Sequence, residues 1–159
     1  MPVFGGLNDE TLELILQNST NKTVLQGEYF FREGDPANEL FVIQLGAVVV
    51  EKNWAGKVFE LDQFGIGDCV GEMAIVDLQP RSAAVRALTH CEAIEITRAT
   101  LLQIYQKSVE QYAISMMNMG REISRRLRAA DQRLFEIDIV SGNDKETNLD
   151  ETRRSGVTH

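Results

Sequence analysis

The spacing of apolar and polar residues changes along the chain, and each spacing predicts a different kind of structure. Residues 7–17 repeat their apolar positions with the period of a helix, and Asn8 can cap its first turn. Residues 24–96 consist of short β-rich runs separated by glycines. After Ile96 the helical period returns. The pattern predicts a mainly β domain with flanking helices, in which the strands form an antiparallel β-roll or jelly-roll barrel.

Two local signals support the predicted barrel. The tetrapeptide EGDP, residues 33–36, is a turn signal shortly before the apolar run LFVI. The run AVVVEK is followed by NWAGK and VFEL, in the arrangement of a hairpin.

Two helices are predicted after the β-rich part. Thr97 can cap a helix that begins near Arg98, and a longer helix runs from about residue 109 to residue 137. The apolar and small positions of the longer helix alternate in steps of four and three: Met116, Gly120, Ile123, Leu127, Ala130, Leu134 and Ile137. Such a heptad seam packs either on the protein's own barrel or on a second copy, and we favour a parallel homodimer.

These elements divide the chain into three predicted parts. Residues 1–108 hold the N-terminal helix and the β-roll, and residues 109–140 form the long C-terminal dimerisation helix. Residues 141–159 are almost free of apolar side chains and are expected to be a flexible tail. Because the tail is too short for a helix-turn-helix module, no DNA contact is expected from this chain.

Composition narrows the class of protein. The net charge of −8 argues against a nucleic-acid-binding surface, although residues 121–133 carry five arginines on a predicted helix. No apolar run has the length of a membrane span and no leader opens the chain, so a cytoplasmic location without a membrane contact is expected. Cys69 and Cys91 have no CxxC spacing, which suggests neither a disulfide scaffold nor a zinc site.

The segment VGEMAIVDLQPRSAAV, residues 70–85, places a carboxylate and a guanidinium among apolar residues. Gly71 allows a close backbone approach, and a short helical turn beginning there would aim unpaired N–H groups at the same point. Arg81, held after Pro80, supplies a fork of donors that suits one phosphate group. Glu72 suits a sugar hydroxyl beside that phosphate. The alternative is an internal salt bridge between these two charged residues.

The same segment resembles the phosphate-binding cassette of cyclic nucleotide-binding domains, whose pattern is Gly-Glu-apolar-Ala-apolar-apolar, a short spacer and Pro-Arg-small-Ala. FFREGDPANELFVIQLGAVVV, residues 30–50, is similar to the early strands of that family, and the resemblance extends over about residues 7–134. It implies a sensor domain like those of bacterial cyclic AMP receptor-type regulators and kinase regulatory subunits. Its expected ligand is cyclic AMP or cyclic GMP, without a metal.

The resemblance also implies roles for single residues. Gly71 and Glu72 would contact the ribose hydroxyl and a phosphate oxygen, Arg81 would pair with the cyclic phosphate, and Ser82 and Ala83 would add a hydroxyl and a backbone N–H. The expected pocket walls are Val70, Met73, Ala74 and Val85, with Val48 and Leu61 as weaker candidates.

The long helix is expected to cover the base, with Arg126 near Glu72 and with Ala130 and Asp131 near the base. The threonine–serine pair of transcriptional relatives is absent there. Asp131 can accept a hydrogen bond from adenine or from guanine, so it does not select between them. We favour cyclic AMP because stand-alone and transcriptional members of the family usually bind it, and cyclic GMP is the alternative.

Binding is expected to draw the terminal helices toward the pocket, so we predict a non-enzymatic sensor that acts on an unknown effector protein. One alternative is a dimerising module whose pocket no longer binds. Another is a cupin-like metalloenzyme, for which His90 and His159 are the only histidines. Haem or iron–sulfur sensing is disfavoured because two cysteines do not supply four thiolates.

Overall fold

The computed structural model describes the backbone of residues 2–154 and the side chains of residues 2–142. Within these residues a 3-10 turn at Pro2–Phe4 precedes the regular elements. The helices are α1 (Asp9–Asn18), α2 (Glu72–Asp77), α3 (Arg98–Lys107) and α4 (Val109–Arg154). The strands are β1 (Thr20–Val24), β2 (Tyr29–Phe31), β3 (Glu39–Leu45), β4 (Val48–Trp54), β5 (Lys57–Phe64), β6 (Cys69–Val70), β7 (Ala84–Ala87) and β8 (Cys91–Thr97).

The described strands form two antiparallel four-stranded sheets. One has the order β1-β8-β3-β6 and the other the order β2-β7-β4-β5. The predicted fold class, a β-roll with flanking helices, is confirmed. The predicted hairpin is β4–β5, in which Trp54 pairs with Lys57 across a two-residue turn. Ala55 and Gly56 of this turn both have positive φ, the conformation that two-residue hairpins favour.

Two apolar clusters hold the β-roll. The first lies where the helices meet the sheet and is formed by Val3, Ile15, Leu40, Val42, Cys69, Ile75, Ile94, Ile96, Leu101, Ile104 and Met119. The second is formed by Val24, Phe30, Phe41, Ile43, Val48, Val70, Val85, Ala87, Cys91 and Ala93. Phe41 packs edge-on against Phe30, with 5.3 Å between ring centroids, and stacks with Phe31 at 6.2 Å. The second cluster therefore includes the strands on both sides of the segment 71–83.

Both predicted helix caps are confirmed. The side chain of Asn8 accepts a hydrogen bond from the backbone N–H of Thr11 at 2.9 Å and so caps α1. The Thr97 hydroxyl accepts one from the N–H of Thr100 at 3.3 Å and caps α3. Each cap satisfies an N–H group that has no partner inside the helix.

Helix α4 spans two compact units, Met1–Ile123 and Ser124–His159. The first turns of α4 belong to the β-roll, whereas the predicted boundary lay between residues 108 and 109. The reason is packing: Met119 is fully buried, and the Asn118 side-chain amide donates to the carbonyls of Val3 and Gly5 at 3.1 and 2.7 Å.

The backbone of α4 also continues further than predicted. We expected a flexible tail over residues 141–159, but the helix extends to Arg154, and residues 155–159 lie outside the described residues. No proline interrupts residues 109–154, so no residue in this stretch removes a helical N–H donor.

The predicted seam of α4 changes its surroundings along the helix. Met116 packs on the first apolar cluster, whereas Leu127, Leu134 and Ile137 are each about 60% exposed. The start of the seam therefore covers the protein's own β-roll, and the homodimer stays a prediction for the rest. Among the described residues, no helix is both long and apolar enough to cross a membrane.

Candidate functional site

The segment that joins β6 to α2 turns sharply at Gly71. This glycine has a φ of 84° and occupies the N-cap position of α2, which begins at Glu72. Such a positive φ is a conformation that residues with a side chain rarely adopt. The predicted short helical turn is present, and it ends at Asp77 before Leu78, whose φ of 60° is also positive.

Gly71 is required here for space as well as for conformation. A Cβ atom added at this position would lie 2.5 Å from Nη1 of Arg81 and 3.2 Å from Cε1 of Phe31. The absence of a side chain is thus what lets the guanidinium lie directly against the turn.

The Arg81 side chain is buried, with 3% of the residue exposed, and is held on several sides. Its Nη1 donates to the carbonyl of Gly71 at 3.0 Å, and its Nη2 donates to the carbonyl of Glu39 at 2.8 Å. Nη2 also forms an ion pair with the Glu39 carboxylate at 3.2 Å. The guanidinium carbon lies 4.0 Å from the ring centroid of Phe31, in a cation–π contact.

One donor of this guanidinium is not used. Nε of Arg81 is buried and has no hydrogen-bond partner. A buried N–H group without a partner is costly, and most such groups in proteins are satisfied by the protein, by water or by a ligand. The guanidinium therefore keeps a buried donor atom that the protein's own groups do not satisfy.

The backbone around Arg81 is fixed by the EGDP turn. The N–H of Arg81 donates to the carbonyl of Asp35 at 3.0 Å, and the N–H of Gly34 donates to the carbonyl of Arg81 at 2.8 Å. These paired bonds explain how the turn before β3 and the arginine after α2, separated by more than forty residues, form one site.

Electrostatics at this site combine desolvation with nearby carboxylates. Burial lowers the pKa of Arg81, and the charges of Glu39, Asp35 and Glu72 act in the opposite direction. Arginine keeps its charge in proteins because its ordinary pKa is so high. The result is a buried, permanently charged cation beside three carboxylates. Among them Glu39, and not Glu72, has the largest effect on the pKa of Arg81.

The structure brings together several of the predicted site residues. Glu72, Ala74 and Ala83 are buried next to or within the cassette, and Val70 and Val85 are buried in the second cluster. Gly71 and Arg81 are in direct contact. The alternative of a Glu72–Arg81 salt bridge is not what the structure shows, because the ion pair of Arg81 is made with Glu39.

Other predicted residues lie differently. Met73 is 47% exposed and Ser82 is exposed, so their side chains reach the protein surface. Val48 is fully buried in the second cluster. Leu61 is 46% exposed. It lies at a register shift of the β4–β5 pairing, between Glu60, which pairs with Glu51, and Asp62, which pairs with Val50.

Three predicted residues belong to the second compact unit, on α4. Arg126 and Ala130 are half-buried, and Asp131 is exposed. Their assignment to the nucleotide stays a prediction.

Sequence reasoning missed Glu39 and Phe31, which contact the guanidinium of Arg81. Glu39 is the first residue of β3, directly before the apolar run LFVI, and Phe31 ends β2 before the EGDP turn. An acidic residue at the start of an apolar strand was the available signal for a functional role of Glu39. Its meaning depends on the pairing of Phe41 with Val70, which sets β3 beside the cassette.

A metal-binding site needs several histidine, cysteine or carboxylate side chains close together. Among residues 2–142, no group of three histidine, cysteine, aspartate or glutamate side chains is placed to hold a metal ion.

The structure defines a class of domain: a two-sheet β-roll with flanking helices, in which an arginine is held against the glycine turn that precedes a short helix. The sequence model of the cyclic nucleotide-binding domain matches residues 21–108, which is more than half of the chain. The chain belongs to the cyclic nucleotide-binding domain family.

The chain is also similar to individual proteins of known structure or function. It is 28% identical to the cyclic AMP receptor protein of Thermus thermophilus over 141 residues, which are 88% of this chain and 62% of the relative. The crystal structure of the Thermus thermophilus catabolite activator protein matches with a TM-score of 0.73 and covers 89% of this chain and 63% of that one.

Two further structures extend this comparison. The regulatory domain of Toxoplasma gondii PKA with cAMP is 27% identical, with a TM-score of 0.62, and the match covers 65% of this chain and 40% of that chain. The c-di-GMP responsive global regulator CLP of Xanthomonas campestris is 28% identical, with a TM-score of 0.69, over 80% of this chain and 63% of that chain. This chain thus spans less than two thirds of the length of each of these proteins.

Proposed function

We propose that this chain is a sensor domain that binds a cyclic nucleotide, cyclic AMP in the first place, at the corner formed by Gly71, Glu72 and Arg81. The observation that carries the proposal is the buried guanidinium of Arg81, whose Nε has no partner. A cyclic phosphodiester supplies a single negative charge and the oxygen acceptors that such a donor lacks.

Each residue of the corner has a distinct role in this proposal. Arg81 pairs with the cyclic phosphate, and the buried carboxylate of Glu72 accepts a hydrogen bond from the ribose 2′-hydroxyl. The exposed Ser82 hydroxyl and the backbone N–H of Ala83 add donors to the phosphate. Gly71 keeps the turn open for both the guanidinium and the ligand.

Apolar contacts complete the proposed pocket. Val70, Met73, Ala74 and Val85 are assigned to its walls, and Arg126, Ala130 and Asp131 are assigned to the nucleotide from α4, as the family resemblance implies.

The choice of cyclic AMP rests on the relatives. The Thermus thermophilus relative is named for cyclic AMP, and the Toxoplasma gondii structure contains it. Cyclic GMP is the alternative, because Asp131 accepts a hydrogen bond from either base. The Xanthomonas campestris relative is described as responsive to c-di-GMP, so this dinucleotide belongs in the same panel of ligands.

We further propose that the signal leaves the domain through α4. Its exposed apolar residues Leu127, Leu134 and Ile137 would pair with a second copy, and ligand binding would shift the equilibrium between two arrangements of the helices. The ligand must favour one arrangement by a few kcal/mol to act in this way. The acidic net charge of −8 leads us to propose an effector protein and not DNA as the partner of this chain.

The test is the replacement of Arg81 by alanine. In wild-type protein, saturating cyclic AMP should raise the melting temperature, and calorimetry should give a one-site isotherm. Arg81→Ala should abolish both signals. Arg81→Lys keeps the charge but loses the fork and should recover only part of the affinity. Arg121→Ala removes the same charge from an exposed position of α4 and serves as the matched control.

The outcomes separate the candidate functions. Equal melting shifts in wild-type protein and Arg81→Ala would contradict the phosphate assignment. A wild-type protein that binds none of the cyclic nucleotides would instead support the dimerising module with an inactive pocket. Metal analysis of the purified protein by mass spectrometry tests the cupin-like alternative.

A further inference from the structure

The carboxylate of Glu39 has a position that the proposed function does not explain. It lies 3.2 Å from Nη2 of Arg81, the guanidinium that would receive the phosphate. An anion bound by Arg81 would therefore sit within a few ångströms of a second negative charge. Like charges at such distances inside a protein repel strongly, because the surroundings screen them less than water does.

The carboxylate is not needed to hold the guanidinium in place. Nη2 is already bonded to the backbone carbonyl of Glu39 at 2.8 Å, and Nη1 to the carbonyl of Gly71 at 3.0 Å. The ring of Phe31 supports one face at 4.0 Å. All three contacts are independent of the identity of side chain 39.

The Glu39 side chain also has freedom that Arg81 lacks. It is 28% exposed, whereas Arg81 is almost completely buried. Its carboxylate is thus able to turn toward water when another anion takes its place. The cost of this exchange grows with the charge of the incoming group.

We infer that Glu39 sets the charge selectivity of the site, so that it disfavours dianionic phosphomonoesters relative to monoanionic cyclic phosphodiesters. This inference rests on the proposed function, since it concerns the same anion position. A cyclic phosphate carries one charge, and a phosphomonoester carries close to two above its second pKa of about 6. The carboxylate therefore repels the linear product of phosphodiester opening about twice as strongly as the cyclic ligand.

The neighbouring charges strengthen this selectivity. Asp35 contributes a second carboxylate close enough to affect the pKa of Arg81, in the same direction as Glu39. With Glu72, three carboxylates act on the one guanidinium of Arg81 before any ligand binds. Such a site accepts one further negative charge more readily than two.

The experiment compares two ligands at pH 8 in wild-type protein, Glu39→Gln and Glu13→Gln. Cyclic AMP is titrated by calorimetry, and 5′-AMP is measured by its competition with cyclic AMP. Glu39→Gln should bind cyclic AMP about threefold more tightly and 5′-AMP about tenfold more tightly, since each 1.4 kcal/mol of removed repulsion corresponds to tenfold. The control Glu13→Gln removes the same charge from an exposed position on α1 and should leave both affinities within about twofold of wild-type protein.

Each result decides between the alternatives. An unchanged ratio of the two affinities in Glu39→Gln would overturn the inference while the proposed function stands. A loss of affinity for both ligands would also overturn it, because it would show that the carboxylate positions Arg81. Wild-type protein that binds no cyclic nucleotide would remove the proposed function together with this inference. If Glu39→Gln does not fold, Glu39→Thr removes the same carboxylate from the edge of β3 and is measured in its place.

Discussion

Replacing Gly71 by alanine should damage both the fold and the site, through two effects whose sizes follow from the structure. The first effect is backbone strain. Gly71 has a φ of 84°, and an L-residue in this region costs about 1–2 kcal/mol. The second effect is a collision, because the new Cβ would lie 2.5 Å from Nη1 of Arg81.

The collision is costly because the guanidinium has no space into which it can withdraw. It is buried, it lies against the ring of Phe31, and two of its nitrogens are bonded to backbone carbonyls. A hydrogen bond from a charged group contributes about 1.5–3 kcal/mol. We expect displacement of Arg81 to cost about 2 kcal/mol, so that Gly71→Ala loses about 3–4 kcal/mol of unfolding free energy in total.

Gly67 provides a matched control for the strain. Its φ is 88°, and a Cβ added there would meet no atom within 4 Å. Gly67→Ala should therefore lose only the strain term of about 1–2 kcal/mol. The difference between the two variants isolates the contacts of the added Cβ with Arg81 and with the ring of Phe31, of which the contact with Arg81 is the shorter.

Urea unfolding followed by far-ultraviolet circular dichroism measures the stability of both variants, and calorimetry measures their affinity for cyclic AMP. Gly71→Ala should bind at least about tenfold more weakly than wild-type protein, because the guanidinium is moved, whereas Gly67→Ala should bind within about twofold. If the two variants unfold at the same urea concentration and bind equally well, the guanidinium does not depend on the space at Gly71, and this reasoning is refuted.

Two further predictions concern α4. Leu127→Asp should convert the proposed homodimer to a monomer in light scattering, because this leucine is 60% exposed and lies on the seam. The control is Leu102→Asp, at a 54% exposed leucine of α3, which should leave the dimer intact. A dimer that persists in Leu127→Asp would contradict the assignment of the seam to the dimer interface. Asn118→Ala should lower the free energy of unfolding by about 2 kcal/mol, because the carbonyls of Val3 and Gly5 lose their donor. The control is Asn53→Ala, at an exposed position of β4. Equal urea midpoints for Asn118→Ala and wild-type protein would show that the two hydrogen bonds add no stability.

The fold was predictable from sequence because its signals are local. Short β-rich runs, glycine turns and capping residues each act over a few positions. The caps at Asn8 and Thr97 and the hairpin β4–β5 lie where these signals predict them. The extent of α4 was less predictable. Composition alone suggested a tail after residue 140, but a helix continues until a residue breaks it. Residues 109–154 contain no proline, and α4 runs through their two glycines, Gly120 and Gly142.

The candidate site was predictable only in part, since its members come from distant segments. The cassette lies on one continuous segment, so Gly71, Glu72 and Arg81 were visible together. Glu39 is 42 residues from Arg81, and its contact depends on strand register, which no local pattern specifies. For the same reason, the only ion pair considered for Arg81, as the alternative to phosphate binding, was with Glu72 on the same segment, and the ion pair with Glu39 was missed.

Residues that hold the candidate site also pack on the core of the β-roll, and this determines how ligand binding should be detected. Phe31 supports the guanidinium of Arg81 on one face and stacks with Phe41 of the second apolar cluster. The backbone of Arg81 is bonded to the turn that leads into β3. Because Arg81, the arginine that we propose binds the anion, is thus fixed to core strands, the domain cannot unfold without dismantling the candidate site. Ligand binding should therefore stabilise the whole β-roll, and the rise in melting temperature should follow the logarithm of the free ligand concentration relative to its dissociation constant.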